Sequence, residues 1–363
     1  MTIRSHTRSG VLAALLLSGA LTLAACADDA ADPSGSEAAT ESASGSGLLP
    51  AAEGTTAYPL TLDSPWGSTE LDARPERIAA LTPSQDDVEI LAALGVTPVI
   101  ASEWTTDVWI EEALPAPIPE RFTTGDSQFP VEQIVAADPD LIIVLGADVS
   151  DDYDRLASIA PVLSTSQGAG DEGTVANDWE SNIRRVGEVL DLEGAAQQVL
   201  DTQEQFFADY RAEHPELQGL TASYVVYYGA DGGLQYHSSA DSPIASVFER
   251  MGMALPENAV ELAYREEVSK EQLSVIDADV IIFSDNSGGS FADITEQPLF
   301  TRLQAVQDDH LILIDNRSEE GTFVIDGVTY QGNLPWSLAR SGPLSSTWAV
   351  QQLTPALERV LGD

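Results

Sequence analysis

The 363-residue sequence contains almost no cysteine and almost no lysine. Its one cysteine is Cys26, so no disulfide can form within the chain. Lys270 is the one lysine, and 16 Lys and Arg residues stand against 59 Asp and Glu residues, which gives a formal net charge of −43. Proteins that bind nucleic acids neutralise phosphates with clusters of Lys and Arg. The composition therefore excludes nucleic-acid binding, and it disfavours polyanionic ligands unless the fold gathers arginines into one pocket.

The sequence also lacks the common catalytic signatures. It contains no G-x-S-x-G, no Walker loop, no G-x-G-x-x-G and no H-E-x-x-H motif. Apart from His6 near the N-terminus, its histidines are His214, His237 and His310, and their spacing fits no metal site. We therefore predict that the protein is not an enzyme and that its own side chains bind no metal ion.

The N-terminus has an apolar run over residues 11–25 that is too short to span a bilayer. Arg4 and Arg8 precede this run, as in a signal peptide, and the Leu-Ala-Ala-Cys at its end resembles a bacterial lipobox. We predict a lipoprotein signal peptide over residues 1–26. Lipidation of Cys26 would anchor the protein to the extracytoplasmic face of the cell membrane. An ordinary secretory signal with an incidental cysteine is the alternative.

Residues 27–57 are rich in Ser, Gly, Ala and acids and poor in large apolar side chains. Such a segment buries too little surface to offset the entropy lost on ordering, so we predict a flexible acidic tether. The remaining residues, 58–363, are numerous enough for two domains.

Short apolar runs alternate with helical patterns through this remaining part of the chain. The runs at 77–82, 97–101 and 141–145 predict buried strands, and the apolar spacing within 86–94 predicts a helix. Unbroken Val, Ile and Leu strands between helices are typical of a mostly parallel sheet that is covered on both faces. The fold class is therefore α/β, and helices are also predicted at 271–276 and 299–306.

The same pattern predicts two Rossmann-like lobes, an N-terminal lobe over 58–176 and a C-terminal lobe over 215–363. Between them, apolar residues recur at helical spacing without an intervening proline, so we predict one long, rigid connecting helix over 177–214, with Gly194 as the place where it could bend. Open α/β sheets bind ligands at the carboxyl ends of their strands. We therefore expect a ligand cleft between the lobes.

One segment occurs twice. VEQIVAADPDLIIVLG, residues 131–146, is closely similar to KEQLSVIDADVIIFSD, residues 270–285, and a glutamate leads each copy, Glu132 and Glu271. A carboxylate at the start of a helix lies at the favoured end of the helix dipole. Two carboxylates on two related lobes would suit a partner with two-fold symmetry. The alternative is that both are ordinary helix N-terminal acids.

Several stretches resemble the siderophore-binding lipoproteins of bacterial ABC importers, a group that also binds cobalamin and haem. The similarity covers nearly all of 58–363, and its quoted motifs include RPERIAALTPSQDDVEILAALGVTPVI, PVEQIVAADPDLIIV, VSKEQLSVIDADVIIF and PLFTRLQAVQDDHLILID. The resemblance implies two lobes joined by a rigid helix, with modest closure on binding. It also implies that Glu132 and Glu271 form salt bridges with arginines of the permease, and that the protein is a monomer that captures a ferric siderophore.

Candidate ligand contacts lie in segments that follow predicted strands. Aromatic rings would form the walls of a site for a bulky ferric complex, and arginines would bind its iron-bound oxygens. The candidates are Ser84, Trp104, Trp109, Tyr227, Tyr228, Tyr236, Tyr264, Arg265, Arg317 and Trp336.

The class of ligand is a separate question. Hydroxamate-binding members of the family often carry an arginine just before the PVEQI segment, where this sequence has Asp126. That departure and the net charge argue against a triply negative catecholate complex. We favour a neutral or cationic ferric hydroxamate, with no other cofactor. Haem or cobalamin is an alternative cargo, with Tyr236 or His237 as an axial ligand of haem. A surface hydrolase or a structural lipoprotein is the alternative from another class.

Overall fold

The computed structural model describes residues 48–84, 86–123, 129–165, 178–289 and 291–362. Residues Gly45–Asp363 form one compact unit. The predicted signal peptide with Cys26, most of the predicted tether, and Asp126 lie outside the described residues. None of the helices in the described ranges combines the length and the apolar character that a membrane span requires.

The N-terminal lobe is built on a parallel sheet of five strands. A hairpin of β1 (Leu60–Ser64) and β2 (Gly67–Leu71) precedes it. The sheet has the order β5-β4-β3-β6-β7, with strands β3 (Ile78–Ala80), β4 (Ile100–Ser102), β5 (Glu120–Phe122), β6 (Leu141–Val144) and β7 (Val162–Ser164). The helices of this lobe are α1 (Asp86–Ala93), α2 (Val108–Ala113), α3 (Val131–Ala136) and α4 (Tyr153–Ala157).

Both faces of this sheet are covered, as the unbroken apolar strands predict. In β6, Ile143 packs into one apolar cluster with α1, whereas Ile142 and Val144 pack into a second cluster with Tyr153 of α4. Alternate side chains of a strand point to opposite faces, so a strand buried on both faces must be apolar throughout.

Two helices, and not one, connect the lobes. Helix α5 spans Trp179–Val189 and helix α6 spans Glu193–Glu213, so a single helix over 177–214 is wrong, and the interruption lies close to Gly194, where the sequence allowed a bend. The break occurs because Asp191 adopts a left-handed backbone conformation, with φ of 55°. Helix α6 nevertheless reaches both lobes, since Leu200 packs in an apolar core cluster of the N-terminal lobe and Phe207 in one of the C-terminal lobe.

The last part of the predicted tether, residues 48–57, is packed against the N-terminal lobe. The Asp191 carboxylate accepts hydrogen bonds from the backbone N–H groups of Gly54, Thr55 and Thr56, at 2.9, 2.8 and 3.0 Å. The Glu53 carboxylate accepts two more from the first turn of α6. The prediction of a flexible tether is therefore wrong for residues 48–57, because these hydrogen bonds, together with the packing of Leu48 and Leu49 against the core, hold the segment on the lobe.

The C-terminal lobe has a seven-stranded mixed sheet of order β10-β9-β8-β11-β12-β13-β14. Its strands are β8 (Ala222–Tyr227), β9 (Leu234–Tyr236), β10 (Glu266–Val268), β11 (Val280–Asp285), β12 (Leu311–Arg317), β13 (Thr322–Ile325) and β14 (Val328–Gln331). The central strands β8, β11 and β12 are parallel, and the outer pairs are antiparallel.

The helices of this lobe cover its sheet and close the chain. They are α7 (Gly229–Gly232), α8 (Pro243–Met251), α9 (Ala292–Thr295), α10 (Gln304–Gln307), α11 (Leu334–Arg340) and α12 (Ser345–Leu361). Two predicted α-helices are shorter than expected. The first is a 3-10 helix, Leu273–Ile276, and the second is divided into a 3-10 helix, Phe300–Arg302, and α10. Short 3-10 turns are common connectors in segments too brief for a stable α-helix.

Candidate functional site

The two lobes meet where helix α1 faces the connection between α11 and α12. The Nη1 atom of Arg340 donates to the backbone oxygen of Ser84 at 2.9 Å and lies 3.3 Å from a carboxylate oxygen of Asp86. The Glu89 carboxylate accepts hydrogen bonds from the backbone N–H groups of Leu344 and Ser345, at 2.9 and 2.7 Å. A carboxylate of one lobe therefore caps the first helix turn of the other.

An arginine and an aromatic ring form one wall of this junction. The guanidinium of Arg340 lies over the ring of Trp336, with 4.2 Å between the guanidinium carbon and the ring centroid. Arg340 also lies close enough to Tyr264 to affect its ionisation. Burial raises the pKa of the Tyr264 hydroxyl, and the positive charges of Arg265 and Arg340 partly offset this. The structure thus brings Ser84, Trp336 and Tyr264 to one site.

A second group of aromatic rings surrounds His237. Its ring centroid lies 5.4 Å from that of Tyr264 and 6.0 Å from those of Tyr224 and Tyr228. Burial, together with the charge of Arg265, lowers the pKa of His237 to about 3, so the imidazole is neutral at pH 7. Its Nε2 atom is buried without a hydrogen-bond partner among the described residues.

Arg265 extends this group to the protein surface. Its guanidinium carbon lies 6.0 Å from the centroid of Tyr228, and its side chain is exposed. Its backbone is left-handed, with φ of 62°, which is unfavourable for a residue other than glycine. Such strain persists only where the surrounding structure or a function maintains it.

Three of the predicted ligand contacts lie in the protein core. Trp109 is 4% exposed and packs against Trp348 of α12, with 5.0 Å between ring centroids and the rings tilted by 45°. Tyr227 and Tyr236 are buried in a cluster with Phe283, on the sheet face opposite to Tyr224. These positions correct the expectation that the three rings line the cleft. For Tyr227 the cause is strand alternation, which sends Tyr227 and Tyr224 of β8 to different faces.

Trp104 and Arg317 are exposed, each just after or at the end of a parallel strand. Trp104 follows β4 and is 60% exposed. Arg317 ends β12 and donates from Nε and Nη2 to the carboxylate of Asp315, at 2.9 and 2.8 Å. Both positions are at the carboxyl end of a sheet, where the sequence places the cleft.

Three acids at the start of α1 are buried, a feature that sequence reasoning missed. Burial raises the pKa of Asp86, of Asp87 and of Glu89, and for Asp87 the value reaches about 7. The Asp87 carboxylate also accepts a hydrogen bond from the backbone N–H of Thr82 at 2.7 Å. An acidic first helix turn normally indicates solvent exposure, so this burial becomes visible only from the tertiary contacts, which come from Thr82 for Asp87 and from the second lobe for Asp86 and Glu89.

The two glutamates that lead the repeated segments are both exposed. Glu132 lies in the first turn of α3, as predicted. Glu271 lies in a turn before the 3-10 helix Leu273–Ile276, so the helix-dipole argument applies to Glu132 alone.

The two-lobed geometry agrees with the similarity of this chain to known proteins. The family model of the periplasmic binding proteins matches residues 78–318. The chain belongs to the periplasmic binding protein family. Members of this family bind substrates, and both α/β lobes described here are consistent with that class of fold.

Two curated relatives of this periplasmic binding protein come from Bacillus subtilis (strain 168). The probable siderophore-binding lipoprotein YfiY is 25% identical over 224 residues, which cover 60% of this chain and 65% of the relative. The Fe(3+)-citrate-binding protein YfmC is 27% identical over 245 residues, which cover 67% of this chain and 74% of the relative. The chain thus matches slightly less than two thirds of YfiY.

Among solved structures, a periplasmic solute binding protein from Mycobacterium smegmatis str. MC2 155 has the same fold. Its TM-score is 0.65 at 22% sequence identity, and the alignment covers 84% of this chain and 99% of that one. The similarity confirms the predicted α/β fold class.

Proposed function

We propose that this periplasmic binding protein captures a ferric siderophore outside the cell and delivers it to the permease of an ABC importer. The observation that carries the proposal is the meeting of Arg340, Trp336, Tyr264, Tyr228 and Arg265 at the junction of the lobes. Aromatic walls suit a bulky organic chelate, and guanidinium groups bind the oxygens around the iron. The names of the two Bacillus relatives support iron as the cargo.

The contacts proposed for the ligand lie near the junction of the lobes or just after parallel strands. They are Ser84, Trp104, Tyr228, Tyr264, Arg265, Arg317 and Trp336, together with Arg340. Trp109, Tyr227 and Tyr236 would instead stabilise the lobes. The iron would be held by the chelator, and the protein would act without catalysis.

Delivery requires a location and a partner. We propose that lipidated Cys26 holds the protein on the extracytoplasmic face of the membrane, and that the protein acts as a monomer. The exposed Glu132 and Glu271 would form salt bridges with arginines of the permease. One acid on each lobe fits a permease built from two related halves.

Haem is the second candidate cargo, because His237 is neutral and lies beneath Tyr228 and Tyr264. A neutral imidazole is the form that binds a metal. Haem would have to displace the rings that now cover His237, so we rank it below a siderophore.

Tryptophan fluorescence of residues 45–363 tests the proposal. We would titrate the protein with ferrioxamine B, ferric enterobactin, ferric citrate, haemin and cobalamin at fixed ionic strength. Saturable quenching by one ferric complex, absent with the iron-free chelator and reduced in Trp336→Phe, is expected. The sequence favours the hydroxamate ferrioxamine B among these. Quenching by haemin alone would change the cargo, and no response to any ligand would contradict the proposal.

A further inference from the structure

Arg340 is held between the lobes by contacts with three residues. Trp336 covers one face of its guanidinium, and Nη1 is directed at Ser84 and Asp86 of the other lobe. Its side chain keeps 19% of its exposure, so part of it faces solvent. A guanidinium fixed in this way loses little conformational freedom when it binds a further group.

One donor of the same guanidinium lacks a partner among the described residues. The Nε atom is buried, and no hydrogen-bond acceptor reaches it from the described part of the chain. A buried N–H group without an acceptor is costly and calls for an explanation. Guanidinium groups bind carboxylates through two parallel N–H donors, and Nε contributes to one such edge. Arg340 therefore keeps an unused N–H donor that an anionic group could accept from.

The contact between Asp86 and Arg340 is long for an ion pair, so an incoming carboxylate can replace it. The distance from the Asp86 oxygen to Nη1, 3.3 Å, is longer than that of a good charge-assisted hydrogen bond. The other oxygen of Asp86 accepts the Ser84 hydroxyl at 2.8 Å, and the Gly146 turn packs so closely that a Cβ there would lie 2.8 Å from it.

The charges around Asp86 are unfavourable for a second anion. Asp87 and Glu89, on the same helix, are buried carboxyls, and Arg340 is the cation that faces the group from the other lobe. Burial raises the pKa of Asp86, and Arg340 is the main influence that opposes this rise. Withdrawal of Arg340 would therefore favour the neutral carboxylic acid.

We propose that a carboxylate of the ferric chelate takes Arg340 from Asp86, and that Asp86 binds one proton from solvent as it is released. This inference rests on the proposed function and names the chemical class of its ligand. It differs from the hydroxamate expected from the net charge, because composition does not show that Arg340 and Arg265 lie at one site. In a protein of net charge −43, such a local pair of arginines is what an anionic ligand requires.

Titration of two chelates against four variants tests the inference. Ferric citrate is the carboxylate probe and ferrioxamine B the hydroxamate probe, with the Arg340→Gln, Arg340→Lys, Asp86→Asn and Arg359→Gln variants. Arg359→Gln is the matched control, because Arg359 is an exposed arginine paired with Asp326. We expect Arg340→Gln to weaken ferric citrate binding at least tenfold and ferrioxamine B binding less than threefold. Arg340→Lys should be intermediate, since lysine keeps the charge but loses the planar fork.

Proton uptake is measured by calorimetry in buffers of different ionisation enthalpy between pH 6.5 and 7.5. The wild type should take up more protons per bound ferric citrate than Asp86→Asn, and this comparison cancels the proton changes of the chelate itself. Equal proton counts, or equal effects of Arg340→Gln on both chelates, would overturn the inference. Binding of ferrioxamine B alone would overturn it and leave the proposed function intact, whereas binding of no ferric chelate would overturn the proposed function first.

Discussion

The neutral state of His237 is set by the residues around it. Three tyrosine rings exclude water from the imidazole, and the positive charge of Arg265 further disfavours its protonation. The sequence shows a histidine among aromatics, but it does not show which rings share its face of the sheet. Tyr224 was not predicted to be near it, whereas Tyr236, its neighbour in sequence, lies in another cluster.

Replacing His237 with Gln should make stability less dependent on acid pH. The histidine has a pKa of about 3 in the folded protein and an ordinary value near 6.5 when unfolded, so between these values the unfolded chain binds more protons. Its contribution to stability is therefore present above about pH 6.5 and lost as the pH falls towards 3. We expect a cost on the order of 3 kcal/mol at pH 4 from this group.

Thermal unfolding of the wild type and His237→Gln from pH 3 to 8 measures this difference. The buried Asp87 has the opposite dependence. Because its pKa is raised, its contribution to stability decreases as the pH rises from about 4 to about 7. That contribution is common to both proteins and cancels in the comparison. The His310→Gln variant serves as control. Parallel pH profiles of Tm for wild type and His237→Gln would refute the buried neutral state.

Trp104 and Trp109 should respond oppositely to truncation, although they are only five residues apart in the sequence. Trp104 is 60% exposed, so Trp104→Ala should leave Tm nearly unchanged and weaken ligand binding by about 1–3 kcal/mol if the ring contacts the chelate. Trp109 is 4% exposed, so Trp109→Ala should destabilise the fold by about 3–5 kcal/mol. Chemical denaturation and ligand titration of both variants measure the two effects. A stable Trp109→Ala variant with weakened binding would restore that ring to the cleft.

The secondary-structure elements show how much of the fold can be predicted from the local sequence pattern. The helices at 86–93 and 243–251 and the parallel strands of both sheets agree with the apolar patterns, because each buries a continuous face. The break between α5 and α6 does not follow from periodicity. It depends on residues 53–56, which are distant in sequence and supply the N–H groups and the carboxylate that make two helix ends stable.

Asp191→Ala should release the segment of residues 48–57 from the lobe. The carboxylate accepts three backbone N–H groups, and these bonds lower its pKa to about 2. Its stabilising effect is therefore present above about pH 4 and lost as the pH falls towards 2. We expect a lower Tm at pH 7 and faster hydrogen exchange of the Gly54, Thr55 and Thr56 amides.

Asp201→Ala is the matched control for that variant, since Asp201 is an exposed acid on α6 that accepts a local side-chain bond from Gln197. Unchanged exchange at Gly54 to Thr56 in Asp191→Ala would show that other contacts, such as the bond from Thr97 to the Leu48 oxygen, hold the segment. Unchanged Tm with fast exchange would separate local release from global stability.

At the scale of the whole molecule, the repeated segments occupy equivalent places in the two sheets. In the N-terminal lobe, β6 pairs in parallel with β3 on one side and β7 on the other. In the C-terminal lobe, β11 pairs in parallel with β8 and β12. The repeat could be recognised from the sequence because both strands are buried on both faces. The C-terminal sheet also has the antiparallel strands β9, β10, β13 and β14, which have no counterpart in the N-terminal sheet. The repeated segment in the sequence does not predict them.

This equivalence underlies the final prediction, for Glu132→Ala combined with Glu271→Ala. Both side chains are exposed and precede equivalent strands, and neither is among the proposed ligand contacts. The double variant should bind its ferric ligand with wild-type affinity but fail to support uptake, because both proposed salt bridges to the permease are absent. Single variants should retain partial uptake.

Growth of a deletion strain on the ferric chelate as iron source, complemented by each variant, measures this effect. Glu76→Ala with Glu296→Ala is the matched control, since it removes one exposed acid from each lobe and changes the net charge equally. With a net charge of −43, a loss of two charges is a small change in long-range attraction. A transport defect confined to the Glu132 and Glu271 pair therefore requires a local contact, whereas normal uptake by that double variant would remove both glutamates from the docking surface.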